Sequence, residues 1–154
     1  MAQTDPTDDS IRSILVPTDG SDAAEAALKR ALAIAERETA VVHVLTVMDT
    51  TTSPLAFGID DVHELEDIKQ RLVADLAASA DDHDIDVTGA VRRGRPAEEI
   101  ITYAAEHDID QIVLGRTGRG AVTEALLGST ADQVVRTATV PVLVVPDATV
   151  SDDE

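Results

Sequence analysis

What most constrains this chain is one unbroken alternation of short apolar runs with stretches patterned for helix. Ile14-Leu15-Val16, Val41 to Met48, Ile85 to Val91, Ile112-Val113-Leu114 and Val142 to Val145 are short and rich in Val and Ile. Such runs read as strands, most of them buried on both faces. Between them, apolar residues recur at helical spacing. One set is Ala24, Ala27, Leu28, Ala31, Ile34 and Ala35, and a second is Val62, Leu65, Ile68, Leu72 and Leu76. Ile100, Ile101, Ala104 and Ala105 make a third, and a last helix is expected from Ser129 to about Thr137. The order βαβαβαβαβ predicts an α/β fold: an open parallel sheet with helices on both faces. Right-handed crossovers leave few topologies for it.

The punctuation agrees. Pro17 and the turn residues Thr18-Asp19-Gly20 close the first strand, and Ser21 is a good N-cap with Asp22 and Glu25 in the first turn. Asp49 to Gly58 is Thr-rich and contains Pro54, so it reads as a loop, either a lid or a plain connector. Pro96 suits the first helical position after Gly94-Arg95. Residues 11–146 are expected to form one domain, flanked by disordered acidic arms at 1–10 and 147–154. The last strand, Val142 to Val145, is fully apolar and bracketed by Pro141 and Pro146. At a sheet edge it would invite pairing with a second copy, so a homodimer through this strand is expected. The alternative is that the acidic tail covers the edge.

Composition narrows the function. The chain of 154 residues has no Cys, which excludes disulfides, Cys-based zinc sites and thiol nucleophiles. His43, His63, His83 and His107 show no short ligand spacing and read as surface or strand residues; no metal site is expected. No apolar run approaches the roughly 18 residues of a membrane span, and the acidic start does not resemble a secretory signal. A soluble, cytoplasmic protein is expected. The net charge is -18, from 30 acidic and 12 basic residues, with Lys29 and Lys69 the only lysines. That field repels nucleic acid and anionic membranes, so neither is an expected partner. It also strains the compact state unless salt screens it, which points to a salt-rich, halophilic cytoplasm; the alternative is an ordinary acidic cytosolic protein.

The stretch from Gly115 to Ser129 carries the chemistry. It leaves the end of a buried strand and reads Gly115-Arg116-Thr117-Gly118-Arg119-Gly120, closing on Gly128-Ser129-Thr130. Gly115, Gly118 and Gly128 would allow positive φ and a close backbone approach to a ligand. Ser129 would N-cap the last helix, with Asp132 as a capping-box variant. Unpaired N–H groups at a helix start form an anion site, and Arg116 and Arg119 add positive charge. There is no G-x-x-x-x-G-K-[ST] loop, and the partial dinucleotide fingerprint at Gly118 lacks its third glycine and follows the wrong strand. An acceptor Asp after strand three and a Lys after strand five are also missing, which rejects a phosphorelay receiver. Blander readings stand beside the sharp one. Asp19 could serve only its turn, the glycines only helix–strand packing, Thr130 only the first turn, and Arg116 and Arg119 only the solvated surface.

Gly, two residues, Gly, nine residues, Gly-Ser resembles the ATP-binding signature of the universal stress protein family. Ile14 to Ser21 resembles that family's first strand and turn, and Thr139 to Val145 its last strand. The resemblance spans about residues 12–146. It implies a doubly wound sheet of order 3-2-1-4-5, of the adenine nucleotide alpha hydrolase-like kind, with the ligand between strands one and four. It further implies that Pro17, Thr18 and Asp19 meet the adenosine part and that the Val47 backbone holds adenine. Gly115, Arg116, Thr117, Gly118 and Arg119 would line ribose and phosphates, and Gly128, Ser129 and Thr130 the phosphate chain. ATP-binding members often carry a hydroxyl where this chain has Ala131, which leaves ADP or AMP open beside ATP, with Mg²⁺ accompanying the nucleotide. The function so implied is a nucleotide-binding regulatory dimer of the stress response. Slow ATP hydrolysis and a nucleotide-free interaction protein are the alternatives; no base for water is convincingly placed, so no catalytic residue is assigned.

Overall fold

The computed structural model describes residues 10–19, 22–49, 67, 71, 85–116 and 127–146. Its elements are β1 (Ser13–Pro17), α1 (Asp22–Glu38), β2 (Val41–Asp49), β3 (Val87–Gly94), α2 (Pro96–Glu106), β4 (Gln111–Gly115), α3 (Ser129–Thr137) and β5 (Val142–Val145). The strands form one sheet of order β3-β2-β1-β4-β5, and every pair is parallel. The chain thus has the α/β architecture that its alternation dictates. Gly20, Ser21, the 50–58 loop, the acidic arms and the expected helix over Val62 to Leu76 lie outside the described residues, except Asp67 and Arg71, which are helical.

Successive strand residues point to opposite faces, and both faces are covered. Ile14, Val16, Val42, Val44 and Val113 pack with Ala27, Ala31, Leu32 and Ala35 of α1. Leu15, Leu45, Ile112 and Leu114 pack with Ile100 and Tyr103 of α2 and Val134 of α3. Ile14, Leu15 and Val16 are all fully buried although they face different layers. This is why the central strands read as solid apolar runs rather than alternations. Each such side chain contributes about 1.5–3 kcal/mol by leaving water. The buried stripe of α1 is mostly alanine, which lets its axis lie close to the sheet.

β3 departs from the expected span of 85–91. Its ladder with β2 continues through Met48↔Arg93 and Asp49↔Gly94. At an edge, backbone pairing can carry polar residues into a strand, so Arg92 and Arg93 belong to it. Gly94, at φ 145°, then turns the chain into Arg95 and Pro96, where α2 begins as the proline signals. At the opposite end of the sheet, the Asp110 carboxylate accepts from the backbone N–H of Arg12 and Ser13 at 2.9 and 3.2 Å. That clamp fixes the start of β1 beside β4.

Candidate functional site

β1 and β4 are neighbours, but the chain leaves them for opposite halves of the sheet. A crevice opens outside their carboxyl ends, the usual ligand position in such sheets. Pro17, Thr18 and Asp19 leave β1 there, and Gly115 and Arg116 leave β4. Gly128, Ser129 and Thr130 begin α3 on the same rim. Thr117, Gly118 and Arg119 lie outside the described residues.

Backbone hydrogen bonds hold this rim. Thr18 N–H donates to Leu45 O at 2.8 Å, extending the β1–β2 ladder by one step. Leu45 O therefore faces β1, and with the strand's period of two the Val47 N–H and C=O face the same way. The β1–β2 register ends at Pro17↔Leu45, so no β1 strand residue stands opposite Val47. Arg116 N–H donates to Val145 O at 2.9 Å, and Gly128 N–H donates to Arg116 O at 2.8 Å. The chain that departs after Arg116 is thus tied back to its departure point where α3 starts.

Three local expectations need correction. Gly115 does not have positive φ; among the described glycines only Gly94 does. Its lack of a side chain serves close packing, because a Cβ there would lie 2.8 Å from Ala23 C, O and Cβ. The N-terminal turn of α1 can therefore press against the end of β4. Gly128 is extended, at φ -65° and ψ 164°, and is itself the N-cap, so Ser129 is the first helical residue. Ser129 makes no side-chain cap, and the Asp132 carboxylate accepts from Arg136 Nε at 2.9 Å instead of turning back. The first intrahelical donor is Asp132 N–H, to Gly128 O at 2.8 Å. The N–H groups of Ser129, Thr130 and Ala131 precede it and have no intrahelical acceptor.

Two side chains give the rim its character. Arg116 Nε is buried and has no hydrogen-bond partner among the described residues. The backbone carbonyl of the same residue accepts from Gly128 N–H at the start of α3, a helix end whose dipole favours an anion. Ala131 is 4% exposed and belongs to the core cluster of Leu15, Leu45 and Val134. The residue without a hydroxyl is thus a packing residue in this chain. Among the described residues, no three His, Asp or Glu side chains gather as metal ligands would.

Residues 10–146 match the universal stress protein family. The chain belongs to that family. A universal stress protein of Methanocaldococcus jannaschii is 33% identical over 138 residues, which cover 87% of this chain and 81% of that protein. A second from the same organism is 30% identical over 152 residues, covering 87% and 94%. Its solved structure superposes with a TM-score of 0.79 over 89% of this chain and 96% of that one. A universal stress protein solved in complex with cAMP is 25% identical, with a TM-score of 0.62 over 90% and 99% of the two chains. No helix among the described residues of this universal stress protein is long and apolar enough to cross a membrane.

One group of interacting side chains was not anticipated from sequence. His43 Nδ1 lies 2.8 Å from the Tyr103 hydroxyl, and Tyr103 stacks on His107 with ring centroids 3.9 Å apart. The available signal was the i, i+4 spacing of Tyr103 and His107 on α2, opposite a histidine on β2. Ligand-spacing rules test for metals and pass over such a stack.

Proposed function

We propose that this universal stress protein binds an adenine nucleotide in the crevice between β1 and β4 and acts as a regulatory homodimer in a salt-rich cytoplasm. The observation that carries the binding reading is the buried Arg116 Nε, without a hydrogen-bond partner among the described residues, on a residue whose carbonyl accepts from Gly128 where the first-turn N–H groups of α3 lack intrahelical acceptors. Together they form an anion seat that a phosphate fits. Val47 would present its backbone to the adenine. Pro17, Thr18 and Asp19 would flank the adenosine part. Gly115 would set the width of the crevice, Gly128, Ser129 and Thr130 would bind the phosphate chain, and Thr117, Gly118 and Arg119 would line the ribose and phosphates. Asp19 and Ser129 are this chain's oxygen donors for a Mg²⁺ that arrives with the nucleotide. The cAMP complex of the 25%-identical relative supports an adenine nucleotide as the ligand class.

The homodimer reading rests on β5. Val145 O and Pro141 O accept from β4, so the N–H and C=O of Val142 and Val144 point to the open edge. All four β5 side chains remain half-buried. The other edge, β3, carries Arg92 and Arg93, which discourage pairing.

The test is calorimetric titration of ATP, ADP, AMP and cAMP in about 2 M KCl with Mg²⁺, a salt level that screens the acidic surface. Saturable binding of at least one adenine nucleotide is expected. Failure of all four at millimolar concentration overturns the reading. Phosphate release from the ATP samples, compared with Asp19→Ala, measures the hydrolytic alternative: an Asp19-dependent rate would make this chain an ATPase.

A further inference from the structure

The aromatic cluster between β2 and α2 contains none of the residues assigned to the crevice, though its Arg92 pairs with Val47 across β2 and β3, and it does not depend on the nucleotide reading. Tyr103, the only tyrosine of the chain, is 3% exposed and fastens α2 to the sheet. Its hydroxyl meets His43 Nδ1 at 2.8 Å. His107 stacks on its ring, and His107 Nδ1 lies 3.1 Å from Tyr103 O. The two imidazole centroids are 5.5 Å apart. From β3, Arg92 lies 4.9 Å from the centre of the tyrosine ring, and its guanidinium is held by Glu106 at 2.6 Å and Glu99 at 3.8 Å. β1 sets Leu15 beside His43, which adds no charge. Among the described residues, the charged and titratable groups around His43 are therefore Arg92 from β3 and Glu99, Tyr103, Glu106 and His107 from α2.

Proton placement follows from what each atom can do. A carbonyl only accepts, so neutral His107 carries its hydrogen on Nδ1 and donates it to Tyr103 O. Burial holds the Tyr103 hydroxyl above its ordinary pKa, against the pull of Arg92, so it stays protonated. Its natural acceptor is the bare Nδ1 of neutral His43. When His43 gains a proton, Nδ1 becomes a donor and the hydroxyl must accept. The hydroxyl hydrogen then loses the one acceptor it has among the described residues, in a buried place, which is costly. The new cation also faces His107 and Arg92, while both carboxylates are already committed to Arg92.

We propose that His43, Tyr103 and His107 form a proton-operated latch that seats α2 on β2 while the His43 imidazole is neutral and loosens the second half of α2 when His43 is protonated. Burial first, and then the charge of His107, lower the pKa of His43. The folded chain therefore takes up this proton less readily than the unfolded chain. The latch is complete above the ordinary imidazole value of about 6.5 and is lost as pH falls from there through the lower folded value.

Amide hydrogen exchange tests this in about 2 M KCl, where general charge repulsion is screened. Protection factors, corrected for intrinsic rates, are compared at about pH 7.5 and pH 5, on either side of the ordinary histidine value. Protection over Ile100 to His107 is expected to fall roughly tenfold or more on acidification, while α1 holds. His43→Gln can still accept from the hydroxyl but does not titrate, so most of that response should vanish. Tyr103→Phe removes one oxygen and keeps the stack; it should lower protection at neutral pH and flatten the acid response. It also serves if His43→Gln does not fold. Protection over α2 that ignores pH in the wild type overturns the latch, as does an acid response that survives either substitution.

Discussion

A Cβ on Gly115 would stand 2.8 Å from the carbonyl carbon, carbonyl oxygen and Cβ of Ala23. Two of those atoms are backbone of the first turn of α1, so the helix must shift to admit it. Gly115→Ala is expected to cost about 1–3 kcal/mol, the usual range for an overpacked core. It should also weaken nucleotide binding, because α1 moves at the rim that carries Asp19. Urea denaturation gives the first quantity and calorimetry the second; an unchanged midpoint would mean that the close approach is not needed. Arg116 asks the opposite question. A buried donor without a partner costs about 1–3 kcal/mol, and a hydrogen bond to a charged group gives back about 1.5–3 kcal/mol. Arg116→Met keeps an apolar stem and removes the donor. The ligand-free variant should be as stable as the parent or more so, and its nucleotide affinity should drop about tenfold or more. Lost stability with intact binding would instead make Arg116 a structural residue.

β5 shows what an element can reveal before its surroundings are known, and what it cannot. Its place at the edge and its bounds, Val142–Val145, were legible because prolines stop it on both sides. The same was true of the other buried strands and of Pro96 at the start of α2, where one local signal decides one local outcome. β3 was legible only in part, since its polar end is a strand through pairing with β2, a non-local cause. The switch point between β1 and β4 was legible through the family resemblance, which implies the strand order, whereas the alternation alone leaves several orders open. The mechanics of the crevice were not: Gly115 reads equally as a flexible residue or as a helix–strand packing one until Ala23 is seen against it, and Ser129 as a cap until Gly128 is seen in that position. The outward groups of Val142 and Val144 lead to a test of the dimer. Val144→Pro deletes one outward N–H and leaves the bonds to β4 intact, at a modest packing cost on the α2–α3 side. Light scattering should find the parent at twice 16.2 kDa and the variant as a folded monomer. A variant that stays dimeric at the same dilution would move the interface away from this edge.

At the scale of the whole molecule, charge governs behaviour more than any contact does. If every one of the 12 basic residues were paired, 18 of the 30 acidic ones would still lack a partner, which is the net charge of -18. The pairs that do form include Arg95–Glu98 and Arg136–Asp132, both solvent-exposed, and pairs of that kind contribute little. Added salt therefore removes more repulsion than attraction. The screening length falls from about 10 Å at 0.1 M to about 3 Å at 1 M, shorter than most separations across a surface of this size. The urea midpoint should rise as KCl is raised from about 0.1 M to about 2 M, the reverse of a protein held by surface ion pairs. NaCl should act nearly as well as KCl, because screening does not distinguish them. A stability maximum at low salt would show that the acidic surface is tolerated without screening, and the halophilic reading of the composition would fall with it. Acidification separates charge from latch in the same samples. At low salt, protonating carboxylates relieves repulsion and partly masks the loss of His43; at high salt that relief is already spent, so α2 should loosen with the full pH dependence of His43.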